Sequence, residues 1–214
     1  MATEALQQNR IIEAPPASAP AANARWGTIV LARHAEPDLS RKIRLNARQY
    51  RDWWALYEAA GIAAGQTPPD HLKAAAARAS VLFSSTRLRS IETATALLAG
   101  RDFTRDEIFI EAPLPPPHWS DAIRLPPRLW GVISRIWWWF FGHHEGQETR
   151  REAEARALDA AGRLDALARK GEDVLVVAHG FFNTMIGIEL RRLGWKCVQG
   201  RGYKYWSTRY YERR

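Results

Sequence analysis

The sequence predicts a three-layer α/β/α sandwich built on a mainly parallel central sheet, and three observations carry that reading. The first is Val174-Leu175-Val176-Val177-Ala178, a continuous run, mostly β-branched and without polar alternation, as a strand covered on both faces requires. Second, shorter runs of the same kind, Thr28 to Leu31 and Val81 to Phe83, recur with helical periodicity between them. Strands that alternate with helices build parallel sheets. Third, these runs stop abruptly at polar residues, Arg33-His34, Ser84-Ser85 and His179-Gly180. Open α/β sheets place their ligand sites at such carboxyl ends.

A chain of 214 residues is long enough for one domain with a sizeable core. With 46% hydrophobic and 25% charged residues it has the composition of a soluble globular protein. The lone Cys197 excludes an intramolecular disulfide framework, and no Cys/His cluster has metal-ligand spacing along the chain. No metal or cofactor is therefore expected. Residues 1 to 25 lack the basic stretch and apolar run of a secretory signal, so a reducing cytoplasm is the expected compartment. Ala, Pro and Ser dominate residues 14 to 24, a composition that buries little. Residues 1–25 are thus expected to be a disordered arm and 26–214 the folded domain.

The net charge of +8 admits an anionic small substrate, nucleic acid or an acidic membrane surface. The basic residues are mostly Arg and are dispersed, with no nucleic-acid-binding signature. Nucleic acid is not an expected partner, and a small phosphorylated substrate is favoured over a membrane surface.

Taken in order, the first strand ends at Arg33-His34, and Pro37-Asp38 breaks any continuation. Arg41-Lys42-Ile43-Arg44 follows, either a solvated loop or a cluster that welcomes phosphate. From Ala47 to Ala60, Tyr50, Trp53, Trp54 and Tyr57 form a helical stripe that reads as core, with Gly61 as its C-cap. Pro68-Pro69-Asp70 opens a second helix that runs to about Ala79. After Val81-Leu82-Phe83, Ser84-Ser85-Thr86 turns into a helix through Leu98, with Arg89 in or near its first turn. There Arg89 either adds a fork to an anion site or is a surface arginine paired with Glu92.

Ile108-Phe109-Ile110 reads as a third short strand with Glu111 at its end, followed by a proline-rich loop, Pro113 to Pro117. Pro126 to Phe141 is a helix with a heavy aromatic load, too short for the ~20 apolar residues of a membrane span. A polar helix covers about Glu148 to Arg169 and closes at Gly171. Beyond the Val174–Ala178 strand, Phe181 to Leu193 is helical and Tyr203 to Tyr211 alternates as a last strand.

Four predicted strand ends thus carry Arg33-His34, Ser84-Ser85 with Arg89, Glu111, and His179-Gly180. Two imidazoles, two guanidiniums and a carboxyl group at one sheet edge suit phosphoryl transfer. The guanidiniums neutralise the phosphate, one imidazole attacks phosphorus, the other donates to its oxygens, and the acid protonates the leaving alkoxide.

In these residues the chain resembles the histidine phosphatase superfamily, relatives of cofactor-dependent phosphoglycerate mutase. Its Arg-His-Gly signature is matched by Leu31-Ala32-Arg33-His34-Ala35-Glu36, and its Ser-Ser-Pro-Leu-x-Arg-Ala-x-x-Thr-Ala element by Ser84-Ser85-Thr86-Arg87-Leu88-Arg89-Ser90-Ile91-Glu92-Thr93-Ala94. The late Val-x-x-His-Gly element is matched by Val176 to Gly180. The resemblance implies a phosphoglycerate mutase-like fold, with His34 as the phosphorylated nucleophile, Arg33, Arg89 and His179 as phosphate ligands, and Glu111 as the acid. It makes 26–214 a histidine phosphatase-like catalytic domain and the expected activity a metal-independent phosphatase. The alternatives are a mutase, or a non-catalytic phosphate-binding or membrane-peripheral protein. Ala35 replaces the family's Gly, which is tolerable where φ stays negative. The Ala-Pro-Leu-Pro-Pro-Pro after Glu111 lacks the mutases' Glu-Arg-x-Tyr-Gly environment. Asp121 and Glu145 therefore stay open as alternative acids. By the same resemblance the Leu129 to Phe141 segment roofs the site, with one of Trp137, Trp138 or Trp139 expected in the cleft.

Overall fold

The computed structural model describes residues 25–200 and 202–213, so all but the last residue of the expected N-terminal arm lies outside the described residues. Six strands form one sheet in the order β3-β2-β4-β1-β6-β5. The parallel part joins β1 (Ile29–Arg33), β2 (Val81–Ser84), β3 (Thr104–Arg105) and β4 (Val174–Ala178), while β6 (Thr208–Glu212) and β5 (Lys196–Gly200) add an antiparallel hairpin.

Alternation along the central strands explains the three layers. Ile29, Leu31, Val174 and Val176 point to one face, where α5 (Arg150–Arg169) and α6 (Gly180–Arg192) cover them with Ala153, Ala157, Leu164, Phe182 and Ile186. Val30, Ala32, Leu175 and Val177 point to the other, under α2 (Asp70–Arg78) and α3 (Leu88–Leu98) with Leu72, Ala76, Ala94 and Leu97. Both faces of β1 and β4 are buried, which is why neither strand shows polar alternation. A separate aromatic cluster, Tyr50, Trp53, Tyr57 and Trp130, joins α1 (Ala47–Ala59) to α4 (Pro127–Phe141).

Local chemistry sets the helix ends. Asn46 with Gln49 and Thr149 with Glu152 form capping boxes at the starts of α1 and α5. Gly171 holds φ +89° just beyond α5, the left-handed position that favours glycine. Gly61 is different. The cap of α1 is Ala60 in extended conformation, and a Cβ at Gly61 would lie 2.3 Å from the Glu92 carboxylate. That carboxylate accepts from the Ile62 N–H at 2.6 Å rather than pairing with Arg89.

Two strand expectations need correction. Ile108-Phe109-Ile110 is not a strand: Glu107–Phe109 is a 3₁₀ turn that follows the two-residue β3. Asp106 accepts the Ile108 N–H at 2.9 Å, and Arg156 donates to the carbonyls of Ile108 and Ile110 at 2.8 and 2.9 Å, so a cap and a guanidinium take the places of ladder partners. The last strand begins at Thr208, because Trp206 at φ +62° breaks the extended chain before it. Its partner β5, Lys-Cys-Val-Gln-Gly, is exposed throughout and has no apolar pattern by which it could be read. Among the described residues, no helix is long and apolar enough to cross a membrane.

Candidate active site

Parallel register brings the polar strand ends together. Arg33 lies opposite Ala178, and the amide of His34 donates to the Ala178 carbonyl at 2.9 Å. The step after each strand therefore sets His34 beside His179, with ring centroids 5.2 Å apart at 62°. On the other side of β4, Ser84 pairs with Val177 and Ser85 donates to the Val177 carbonyl at 3.0 Å. Ser85 then meets His179 Nε2 at 2.8 Å through its Oγ.

The first turn of α3 delivers Arg89 to the same place, wholly buried. It donates to the Tyr57 carbonyl at 2.9 Å and to Glu58 Oε1 at 2.8 Å, and its Nη2 lies 3.3 Å from His179 Nδ1. The second Glu58 oxygen holds Arg87 at 2.8 Å. A buried charge needs such a partner, and Glu58 at the end of α1 supplies it. Thr93 ties the assembly down, accepting the Ala35 N–H at 2.9 Å while its hydroxyl donates to the Arg89 carbonyl at 2.5 Å. Ala35 is not among the residues with positive φ, so the change from glycine costs nothing there.

Both imidazoles are driven well below the ordinary histidine pKa of 6.5, first by burial and next by the positive charge of Arg89. They are neutral at pH 7, and their partners fix complementary tautomers. His34 Nδ1 lies 2.7 Å from the Ala35 carbonyl, which can only accept, so Nδ1 carries the proton and Nε2 the lone pair. His179 Nδ1 faces the Arg89 guanidinium, which can only donate, so its proton sits on Nε2 toward Ser85.

Three further cations gather here with no carboxylate partner among the described residues: Arg33, Arg41 and Arg135. The Arg33 guanidinium lies 4.6 Å over the Tyr205 ring and donates to the Tyr203 carbonyl at 2.6 Å, leaving a buried Nε without a partner. Arg41 donates to the Tyr205 hydroxyl at 2.6 Å. Tyr57 and Tyr205 flank the His34 ring at 6.4 and 5.7 Å. A cavity of about 260 Å³ is lined by Arg33, Arg135, Gly180, Phe181, Thr184 and Tyr203. A larger one of about 500 Å³ includes Trp54, Glu58, Arg87, Glu111, Pro113 and Glu148 in its wall.

Of the residues picked from sequence, Arg33, His34, Arg89 and His179 converge. Glu111 also reaches this end of the sheet, though from a loop. Its oxygens accept the Phe182 and Phe181 amides at 2.8 and 3.3 Å, which caps α6 directly behind His179. Asp121 is exposed and pairs with Arg48, and Glu145 pairs with Arg51; neither lines the two cavities. The tryptophan expectation fails. Trp138 is fully buried and donates to the Glu148 carbonyl, Trp137 packs edge-on to Trp119, and Trp139 lies under Arg150. From α4 it is Arg135 that faces the site, over Phe181 at 5.2 Å. Sequence reading missed Glu58, Tyr57, Arg135 and Tyr205 as site residues, and had Arg41 only as one member of a basic cluster. Only the Arg41 cluster carried a local signal, its charge.

Comparison with known proteins bears on the fold and the family. The ecdysone phosphate phosphatase of Bombix mori, solved with tungstate, superposes with a TM-score of 0.51 at 14% identity, over 86% of this chain and 88% of that one. A phosphoserine phosphatase mutant from Entamoeba histolytica, solved with phosphoserine, gives 0.50 at 13% identity over 78% and 80%. A mycobacterial protein described as hydrolase 1 gives 0.50 at 19% over 79% and 82%. At these identities the likeness is one of fold. No curated protein matches the chain. The sequence profile of the histidine phosphatase superfamily (branch 1), however, matches residues 29–199, and with that match the chain belongs to this superfamily.

Proposed function

We propose that the protein is a metal-independent phosphomonoesterase that works through a phosphohistidine on His34. The observation that supports this most is the pair of complementary neutral tautomers, a free Nε2 lone pair on His34 beside an Nε2–H on His179, between Arg89 and Arg33. In the first step His34 Nε2 attacks phosphorus and the ester P–O bond breaks. The imidazole has no proton to lose, and its Nδ1–H stays on the Ala35 carbonyl as positive charge develops. Arg89 and Arg33 hold the phosphoryl oxygens, and His179 turns its N–H from Ser85 to the same group. Glu111 protonates the departing alkoxide. Water, returning a proton to Glu111, then attacks phosphorus, the P–N bond breaks with the electron pair going back to His34 Nε2, and inorganic phosphate leaves.

Rapid acid quenching with a ³²P-labelled ester tests the nucleophile. An acid-labile, base-stable adduct is expected on the wild type and none on His34→Ala, which loses turnover. An adduct on the variant would overturn the assignment. For the acid, Glu111→Gln is expected to slow an alkyl phosphate about 10²-fold more than a nitrophenyl phosphate, whose leaving group scarcely needs protonation. Equal losses on both esters would reduce Glu111 to the cap of α6.

A further inference from the structure

Spacing along the chain gives no sign of a metal site, but folding brings His118, His143 and Glu145 together. His118 follows the proline-rich loop, and His143 and Glu145 lie in the connection between α4 and α5. The His118 Nε2 is 3.0 Å and the His143 Nε2 3.5 Å from Glu145 Oε1, and all three donor atoms fall within 4.8 Å of one another. A tetrahedral ion with bonds of about 2.0–2.1 Å separates its ligands by about 3.3 Å. The two measured edges bracket that value before any ion has drawn the ligands in.

Glu145 holds φ +48°, a left-handed conformation unusual for a non-glycine residue, between Gly142 and Gly146 at +65° and +73°. In this turn the carboxylate lies against both imidazoles.

We propose that His118, His143 and Glu145 bind zinc or a similar divalent transition-metal ion, with water completing a tetrahedron. Two imidazoles and one carboxylate are the donor set of such ions rather than of calcium or magnesium. Two local contacts must yield. Arg51 lies 2.7 Å from the same Glu145 oxygen and swings away, and His143 moves the proton it shares with the Pro116 carbonyl, 2.9 Å from Nε2, to Nδ1. The bound ion would clamp the proline-rich loop to the α4–α5 connection. Both segments line the 500 Å³ cavity, through Pro113 on one side and Gln147 and Glu148 on the other. It would thus stiffen a wall of the site without touching the imidazoles that carry the chemistry.

The test is calorimetric titration of the tag-free full chain with zinc chloride, paired with the visible absorption of the cobalt-loaded protein. One ion per chain is expected, with the intense bands of tetrahedral cobalt. His118→Ala and Glu145→Gln are each expected to weaken binding about 100-fold or more, while His34→Asn binds as the wild type does. His118 is exposed, so its loss leaves the fold intact, which circular dichroism checks. No binding to the wild type, or binding that His34→Asn abolishes and His118→Ala spares, would overturn the proposal.

Discussion

The sheet edge and the layer that faces it are built on opposite terms. At the edge, His34, His179 and Arg89 are buried, each is held by named partners, and the one full charge among them is matched by Glu58. In the facing layer, Arg135 on α4 and Arg41 after β1 meet aromatic rings and a hydroxyl but, among the described residues, no carboxylate. An edge whose buried charge is matched in this way tolerates little change. On the proposed phosphatase reading, a facing layer with uncompensated charge meets the part of a substrate that differs from one ester to the next. Solvent separates the two cases, because a buried guanidinium without a counter-charge is strongly unfavourable while a half-exposed one is not.

The largest effect that can break this contrast comes from Glu58. Replacing it with Ala strands Arg89 in the interior, where loss of one partner of a buried pair costs about 3 kcal/mol. For a chain of this size that lowers Tm by roughly 6–12 °C. Turnover is expected to fall by about 10²-fold as well, since Arg89 then keeps only neutral partners, the backbone carbonyls of residues 57 and 58 and the His179 ring, and no charge to orient it. Melting and kinetics on one preparation check both. A variant that melts with the wild type would show that the edge is less constrained than its contacts state.

Glu58 also marks where sequence legibility ends. Arg33, His34 and His179 were readable because each terminates a local apolar run, and a run of four or five residues reports its own burial through composition alone. Arg89 was readable from its place in a helix's first turn. Its partner Glu58 sits 31 residues earlier on α1, and Tyr205 reaches Arg41 across 164 residues. Nothing in the pattern of α1 distinguishes Glu58 from a solvated residue, because a helical period tells which face is apolar and not which polar residue meets a distant charge. The same limit explains Ile108-Phe109-Ile110. The composition is that of a strand, and the side chains of Ile108 and Phe109 do enter the core, but Asp106 and Arg156 decide the backbone. As for α4, its inward face is filled by Trp130, Ser134 and Trp138 at intervals of four, so the residue that reaches the site is the neighbouring Arg135.

A smaller effect follows from the two neutral histidines. Their folded-state pKa values lie below the unfolded value of 6.5, so below pH 6.5 the unfolded chain binds protons that the folded chain does not. Stability is therefore expected to be flat above that pH and to fall beneath it, by up to about 1.4 kcal/mol per histidine for each pH unit. Calorimetric melts at pH 7.5 and 5.5 check this against a His34→Asn, His179→Asn double variant, whose acid loss is expected to be smaller. Equal losses in the two proteins would place the acid-sensitive groups elsewhere.

The smallest effect sharpens the contrast from the other side. Arg135 shares the 260 Å³ cavity with Arg33, packs over Phe181 and, among the described residues, donates only to the Gly131 carbonyl, at a long 3.3 Å. Removing it leaves no buried counter-charge behind, so Arg135→Met is expected to melt within about 2 °C of the wild type, as changes away from buried pairs do. Its cost belongs to the substrate. An ester that carries a second anionic group, such as a phosphorylated carboxylic acid, is expected to lose roughly tenfold in KM, near the 1.4 kcal/mol of one partly exposed charge contact. A neutral phenyl phosphate, which offers Arg135 nothing beyond the transferred phosphoryl group, keeps its KM, and kcat for both stays within about twofold. Matching KM increases for the two esters would mean that Arg135 supports the phosphoryl group itself, and would join this part of α4 to the chemistry of the edge rather than to the choice of substrate.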